Sequence, residues 1–302
     1  MWFKNLAIYR FTESFNDSAE TLAEKLESMQ FTPCTQQQQF SAGWTVPLAL
    51  AEGEGSLVHS ANGFMMLCLK KQEKVLPNVV IAEIVTERAE EAEEKQGRKL
   101  NKKERAELKD EVIFELLPQA FAFSRKTYAY IDPKGGWIVV DAASAKKAED
   151  LLSLLRKTLG SLPVVPPSTK NRPINVMTQW LVEEKSPTDI KVEDECELRS
   201  PEEDGGIIRC KRHDLAAPEI KNHLDTGKQV SKLAISWAER LSFIVDESLM
   251  IKRLRFLELI QDQVADTQAN DETEQFDADF SIMTAELANF LPHLLEIFGG
   301  ES

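Results

Sequence analysis

Between Pro77 and Pro118 the sequence keeps a helical period. Val80, Ile81, Ile84, Val85, Ala89 and Ala92 recur at helical spacing among surface glutamates. Gly97 interrupts them, and Ala106, Leu108, Val112, Ile113 and Leu116 resume the pattern. Asn101 precedes Glu104 at capping-box spacing, with Asn in place of the usual Ser or Thr. Two helices joined near Gln96–Leu100 make a helical hairpin, and β-patterned sequence lies on both sides of it. The stretch therefore reads as an insertion into an α+β domain covering 1–76 plus 119–165, with 77–118 as the hairpin.

The flanks carry their own signals. "WFKNLAIYRF" is rich in strand formers, and Asp17 can cap a helix over Ala19–Met29. "LVHSANGFMMLCLKK" places Asn62-Gly63 between two apolar runs, suiting the positive φ of a tight turn. "TYAYIDPKGGWIVVDAAS" reads as strand, turn, strand. Ser144 then caps a helix with a Leu151, Leu152, Leu155, Leu159 stripe, stopped by Gly160. "LPVVPPSTKNRP" is a proline-punctuated linker into a second α+β unit, 166–302. There "GGIIRCKRHDL" suggests a strand and "APEIKNHLDTG" a short helix. "KQVSKLAISW", "RLSFIVD" and "SLMIKRLRF" suggest an antiparallel meander. An acidic loop and a closing amphipathic helix over Phe276–Phe298, broken or kinked by Pro292, complete the reading.

At 302 residues the chain has room for two or three domains, and its 42% hydrophobic and 28% charged content is ordinary globular usage. No apolar run approaches a membrane span, and the first fifteen residues lack a signal-peptide core. Four cysteines without a CxxC pair suit reduced thiols, so an intracellular, soluble protein is expected. Enzymatic motifs are missing. "DTGKQV" has Gln229 where a P-loop needs Ser or Thr, and GxSxG and HExxH do not occur. Cys210 and His213 could bring two ligands together, too few for zinc. Acid pairs such as Asp277/Asp279 read as a solvated, charge-dense loop rather than an acid–base site. No motif in the sequence supports an enzyme.

The formal charge of −14 is uneven. Glu183 to Asp204 carries −7 and Phe256 to Ser302 carries −11, which leaves the remaining 233 residues at +4. "KQGRKLNKKER", the hairpin tip, holds six bases against one acid. It is either a solvated helix face or a seat for phosphate, lipid headgroup or an acidic partner. Bases recur at Lys70-Lys71, Lys74, Arg125-Lys126, Lys146-Lys147, Arg156-Lys157, Lys211-Arg212, Lys252-Arg253 and Arg255. Lys and Arg without a base-reading motif imply phosphate contact without sequence preference. The tip has no aromatic to stack on bases, which favours duplex over single strand.

Several stretches together resemble the bacterial recombination-associated RdgC family. They are "WFKNLAIYR", "FTPC" at Phe31–Cys34, "LPNVV", "LKDEVIFELLPQAF", "VDAASAKKAEDLLSLLRKTLGSLPVVP", "EDGGIIRCKRHDL", "GKQVSKLAISW", "SLMIKRLRF" and "FDADFSIMTAELANFLPHLLEIFGGE". The weakest matches, Gln36–Ser56 and Val182–Ser200, read as variable loops. The resemblance implies an α+β, multi-domain, horseshoe-shaped subunit with a central domain, the helical tip and a base domain. Two chains would close into a dimeric ring around double-stranded DNA. It implies binding with little sequence preference, restraint of RecA-dependent recombination, no cofactor and no catalysis, a cytoplasmic, nucleoid-associated location and no membrane. Carried onto this chain, Lys74, Arg98, Lys99, Lys102, Lys103 and Lys211 are the expected phosphate contacts. Phe121 is either an apolar contact between subunits or a core aromatic at a domain junction. Two other classes compete: a scaffold whose basic tip binds an acidic partner, and a metal-using nuclease or phosphatase.

Overall fold

The computed structural model describes residues 1–48, 55–202, 205–265 and 271–302. In chain order the elements are β1 (Ala7–Phe11), α1 (Ala19–Glu27), β2 (Phe40–Thr45), β3 (Val58–Ala61), β4 (Phe64–Lys74), α2 (Asn78–Gln96) and α3 (Lys102–Leu116). A 3-10 turn at Leu117–Gln119 leads to β5 (Ala122–Asp132), β6 (Trp137–Val140), α4 (Ala145–Leu159), β7 (Val164–Val165), α5 (Pro173–Glu183) and β8 (Ile190–Arg199). Then come β9 (Ile207–Lys211), α6 (Pro218–Asp225), β10 (Gln229–Trp237), β11 (Leu241–Asp246), β12 (Ile251–Phe256), α7 (Glu258–Ala265) and α8 (Glu272–Ile297). All strand ladders among these elements with a described register are antiparallel, so the chain is α+β. Among the described residues no helix is long and apolar enough to cross a membrane. The chain divides into two compact units, 1–25 with 46–67 and 127–302, and 26–45 with 68–126.

The larger unit contains two sheets and the helix that fills the space beside them. β5, β6, β1 and β7 run in that order, and β12, β11, β10, β8 and β9 form the second sheet. Residues ahead of β1 join the second sheet through reciprocal backbone bonds between Leu6 and Ile251, 2.8 and 3.0 Å. Helix α8 supplies the core: Phe276, Phe280, Met283, Leu287, Phe290 and Leu294 recur at helical spacing, and each is buried. Phe280 meets Tyr130 of the first sheet at 6.3 Å between ring centroids, and Phe290 meets Phe243 of the second at 5.0 Å. Asp271 caps this helix through the amides of Thr273 and Glu274. Asp277 and Asp279 therefore lie on a helix and not in a loop, and the helix continues through Pro292. The loop expected before it falls partly on 266–270, outside the described residues.

Local signals explain most of this unit. Asn62 and Gly63 have φ of 52° and 85°, and the register Ala61↔Phe64 closes a two-residue turn, as both positive φ values require. Ser144 accepts from Lys147 N, Leu151, Leu152 and Leu155 are fully buried, and Gly160 ends α4 at φ 80°. Helix α1 is capped by Ser18, whose Oγ accepts from Thr21 N, whereas Asp17 takes Lys25 at 2.7 Å. Besides β2, which lies in the stretch Gln36–Ser56 taken for a variable loop, β7 in the proline linker and α7 in the expected acidic loop, two elements have no counterpart in the sequence reading. One is α5, which directly follows the proline linker. The other is β8, the acidic segment taken for a variable loop, which lies between β10 and β9.

In the smaller unit β2, β4 and β5 run side by side. Phe31 and Trp44 share a backbone bond of 2.8 Å, and a Cβ on Gly43 would sit 2.5 Å from Phe31 Cα. Only glycine permits that crossing. The hairpin of α2 and α3 has a thin apolar seam, with Ile81, Ala89 and Val112 buried. Val80 and Ala106, expected on the apolar sides, are exposed. Ion pairs close the seam instead: Arg88 chelates Glu115 at 3.1 and 2.6 Å, and Arg105 reaches Glu93 at 3.0 Å.

Candidate nucleic-acid interface

The hairpin is electrostatically polar. Asn78 to Leu116 holds eleven acids and eight bases, a net −3, yet six of those bases lie between Lys95 and Arg105. The turn itself is built by carboxylates. Asn101 accepts from the amides of Lys103 and Glu104, and Glu104 returns a bond to Asn101 N at 2.8 Å, completing the capping box. Arg98 chelates the same carboxylate at 3.0 and 2.6 Å. Hydrogen bonds from Arg98, then from the Asn101 amide, bring the Glu104 carboxyl down to about 2. Glu93 accepts from Leu100 N and Arg105 at 3.0 Å each, and those bonds lower its pKa in the same order. Gly97, with φ 64°, lets α2 end in the left-handed cap that starts this turn.

Two populations of base result. Arg98 and Arg105 hold the turn. Lys95 and Lys103 make only long i,i+4 pairs, 4.0 Å to Glu91 and 3.8 Å to Glu107, with side chains 80% and 86% exposed. Pairs of that kind contribute roughly 0.3–0.5 kcal/mol at most and do not hold a side chain in place. Lys99 and Lys102 are exposed and have no carboxylate within 4.0 Å among the described residues. The expected contacts Arg98, Lys99, Lys102 and Lys103 thus sit together on the tip, and the lysines are the uncommitted ones. Lys74, at the end of β4, is engaged: its Nζ donates to Gln36 O at 2.5 Å and Leu117 O at 2.9 Å, tying the strand to the end of the hairpin.

Phe121 lies in the same unit, between the 3-10 turn and β5, with its carbonyl accepting from Val75 N at 2.8 Å. It is 88% exposed, so it is no core aromatic of this chain. Phe40, Val75, Val79, Val80, Phe114 and Phe123 are also exposed, giving this 79-residue unit seven of the chain's eleven large exposed apolar side chains among the described residues.

Lys211 belongs to the larger unit. It ends β9 opposite Glu195, exposed, with no carboxylate within 4.0 Å among the described residues. Beside it Arg209, Lys232, Lys252 and Arg253 project from β9, β10 and β12 into a shallow cleft of about 230 Å³ that also holds Glu195 and Glu197. Lys232 and Arg209 both donate to Glu197, at 2.8 and 2.7 Å, and Arg253 pairs with Glu195. Burial pushes the Glu197 carboxyl up, but donors from Lys232, Arg209 and Ser231 outweigh it and bring it to about 2. Lys252 also pairs with Asp246 at 3.4 Å, so among the five bases of this cleft Lys211 alone has no carboxylate partner among the described residues. Lys232 was not visible as a member. Its signal was the strand alternation of "KQVSKLAISW", which puts Lys232 and Ala234 on one face. Cys196 and Cys210 are paired across β8 and β9, and burial followed by the Cys210 neighbour pushes the Cys196 thiol up to about 12.

Among the described residues no three His, Cys, Asp or Glu side chains converge as ligands for a metal ion. A family profile described as "Putative exonuclease, RdgC" matches residues 1–301. Among its relatives, the recombination-associated protein RdgC of Aeromonas hydrophila is 50% identical over 301 residues, 100% of this chain and 99% of that one. The proteins of the same name from Tolumonas auensis and Pseudomonas aeruginosa are 49% and 44% identical, again over 100% of this chain and 99% and 98% of theirs. A match of that extent covers the hairpin, both sheets and the closing helix alike, and it places the chain in the RdgC family of recombination-associated proteins.

Proposed function

We propose that this chain binds double-stranded DNA without sequence preference, as a homodimer that closes into a ring around the duplex, and so restrains RecA-dependent recombination by competing for DNA. It acts in the cytoplasm on the nucleoid. The observation that carries the reading is the division of labour at the tip. Arginines are committed to carboxylates that shape the turn, while Lys99, Lys102 and Lys103 are exposed, with only a 3.8 Å pair to Glu107 at Lys103 among the described residues. Lys211 and the cationic sheet face of the larger unit offer a second phosphate-binding surface. Neither surface carries a base-reading helix, so contacts go to the backbone and affinity comes from counterion release. The dimer reading is supported by Phe121, 88% exposed in a unit that holds seven of the eleven large exposed apolar side chains among the described residues. Closure around DNA would make escape depend on opening an interface, so modest phosphate contacts suffice for long residence.

The family description of an exonuclease supports a second reading, in which the chain cuts DNA with a metal. Gel shifts with a blunt duplex, run in EDTA and again in magnesium, separate the two. Retained binding in EDTA and an intact duplex in magnesium support a binding protein. Shortening of the duplex in magnesium establishes the nuclease. Absence of binding in both buffers favours a scaffold whose basic tip meets an acidic protein.

A further inference from the structure

A second cleft in the larger unit has a different chemistry. Its cavity measures about 460 Å³, within the roughly 300–1,000 Å³ of small-ligand clefts. Trp2, Leu254, Phe256 and Leu257 give it apolar lining, and Lys4, Arg255 and Gln261 line it as well. Trp2 is half-buried and packs its ring 4.5 Å from that of Phe256, so an aromatic surface is fixed in place and still open to the cleft. The backbone around it is held. Leu254 N donates to Lys4 O at 2.8 Å, and the amides of Lys4 and Asn5 both donate to Asp141 Oδ1. On the other side β12 carries a bulge, with Arg253 at φ 53° and a register shift between Ser242 and Ile244. That bulge turns Leu254 and Phe256 inward and leaves Arg255 exposed beside them.

Both cations are exposed, and among the described residues neither side chain forms an ion pair, although Asp141, which accepts from the Lys4 amide, lies near enough to feel the Lys4 charge. Exposed positive charge beside an aromatic wall, in a chain of net charge −14, is complementary to a planar ring that carries a phosphate. We propose that the cleft lined by Trp2 and Phe256 receives one unpaired nucleobase of DNA, stacked on the open part of Trp2, with the adjoining phosphate held by Lys4 and Arg255. The inference rests on the DNA-binding reading and extends it. The chain would then engage an unpaired end, gap or extruded base in addition to the duplex backbone.

The test titrates the full-length protein with a twelve-residue oligothymidylate and, separately, with closed circular duplex, which has no free end. Base stacking on an aromatic changes affinity by roughly tenfold or more when the ring is lost. Trp2→Leu, which keeps apolar packing, should weaken oligothymidylate binding by about that factor and abolish part of the tryptophan quenching. Arg255→Ala, at an exposed position that leaves the core intact, should weaken the same binding and reduce its salt dependence by about one contact. Both variants should hold circular duplex as wild type does. Unchanged affinity for the oligonucleotide, or equal loss on both DNAs, overturns the site, and Arg255→Ala decides the matter if Trp2→Leu does not fold. Failure of the wild-type protein to bind the circle is a different result, and it removes the duplex reading itself.

Discussion

Replacing Lys99, Lys102 and Lys103 together with Glu separates the shape of the tip from its charge. None of the three holds the turn: the capping box and the Arg98–Glu104 and Arg105–Glu93 pairs do so. Among the described residues only Lys103 has a carboxylate within 4.0 Å, at 3.8 Å. The triple variant should therefore keep its melting temperature, since exposed substitutions of this kind stay within about 0.5 kcal/mol each. Its salt dependence should change sharply. Each phosphate neutralised adds about 0.9 to the log–log slope, so about six contacts give roughly −5, and loss of three leaves roughly −2.5. Between about 50 and 200 mM salt the wild type should lose about a thousandfold in affinity and the variant only about thirtyfold. Fluorescence anisotropy on a fixed duplex across that range reads both slopes. Arg98→Ala should behave in the opposite way, speeding amide exchange at Asn101, whose amide bonds Glu104, while altering the slope by at most about one contact. An unchanged slope in a folded triple variant would remove the tip from the DNA site.

The remaining expectations concern self-association and the core. Phe121→Ser should weaken dimerisation by about 2 kcal/mol or more, roughly a thirtyfold rise in dimer Kd by sedimentation, and an unaltered Kd would retire that residue from the interface. Glu286 is 4% exposed and chelated by Arg240 at 2.7 and 2.6 Å. Arg240→Ala strands that carboxylate in the core and should cost about 3–5 kcal/mol in urea unfolding. Glu286→Ala leaves an arginine that can still reach solvent and should cost less, so the reverse order would contradict the burial assigned to the pair. Glu197 titrates lower in the folded protein than its usual value of 4.5, at about 2. Its stabilising contribution is present above about 4.5 and lost as pH falls toward about 2, so Glu197→Gln should flatten the acid limb of stability against pH, and an unchanged limb would refute this linkage.

What could be read from the sequence follows from how local each signal is. The Asn62-Gly63 turn, the Asn101–Glu104 box and the Ser144–Gly160 helix are fixed by neighbours a few residues apart, and all three are in the structure as expected. Strand β8 was missed because its acids are satisfied across the sheet: Glu197 by Arg209 and Lys232, Glu195 by Arg253. Seen alone, "IKVEDECELR" looks like a solvated loop. Helix α5 was obscured by the prolines before it, although Pro173 occupies its first turn, where proline is compatible with a helix. The phosphate-site candidates were legible as charge but not as availability. Only the geometry distinguishes Arg98, engaged with Glu104, and Lys74, engaged with two carbonyls, from Lys99 and Lys102. The Trp2 cleft joins residues some 250 positions apart, and the pattern gave no sign of it.

Residence on closed circular duplex, compared with a short linear duplex of the same sequence, tests encirclement most directly. Protein is loaded on each DNA, excess competitor is added, and the bound fraction is followed in time. A ring leaves a linear molecule over its ends but must open to leave a circle. The expected result is a markedly longer half-life on the circle, abolished when a single restriction cut opens it. Equal half-lives on both DNAs, with no change on cutting, would contradict it.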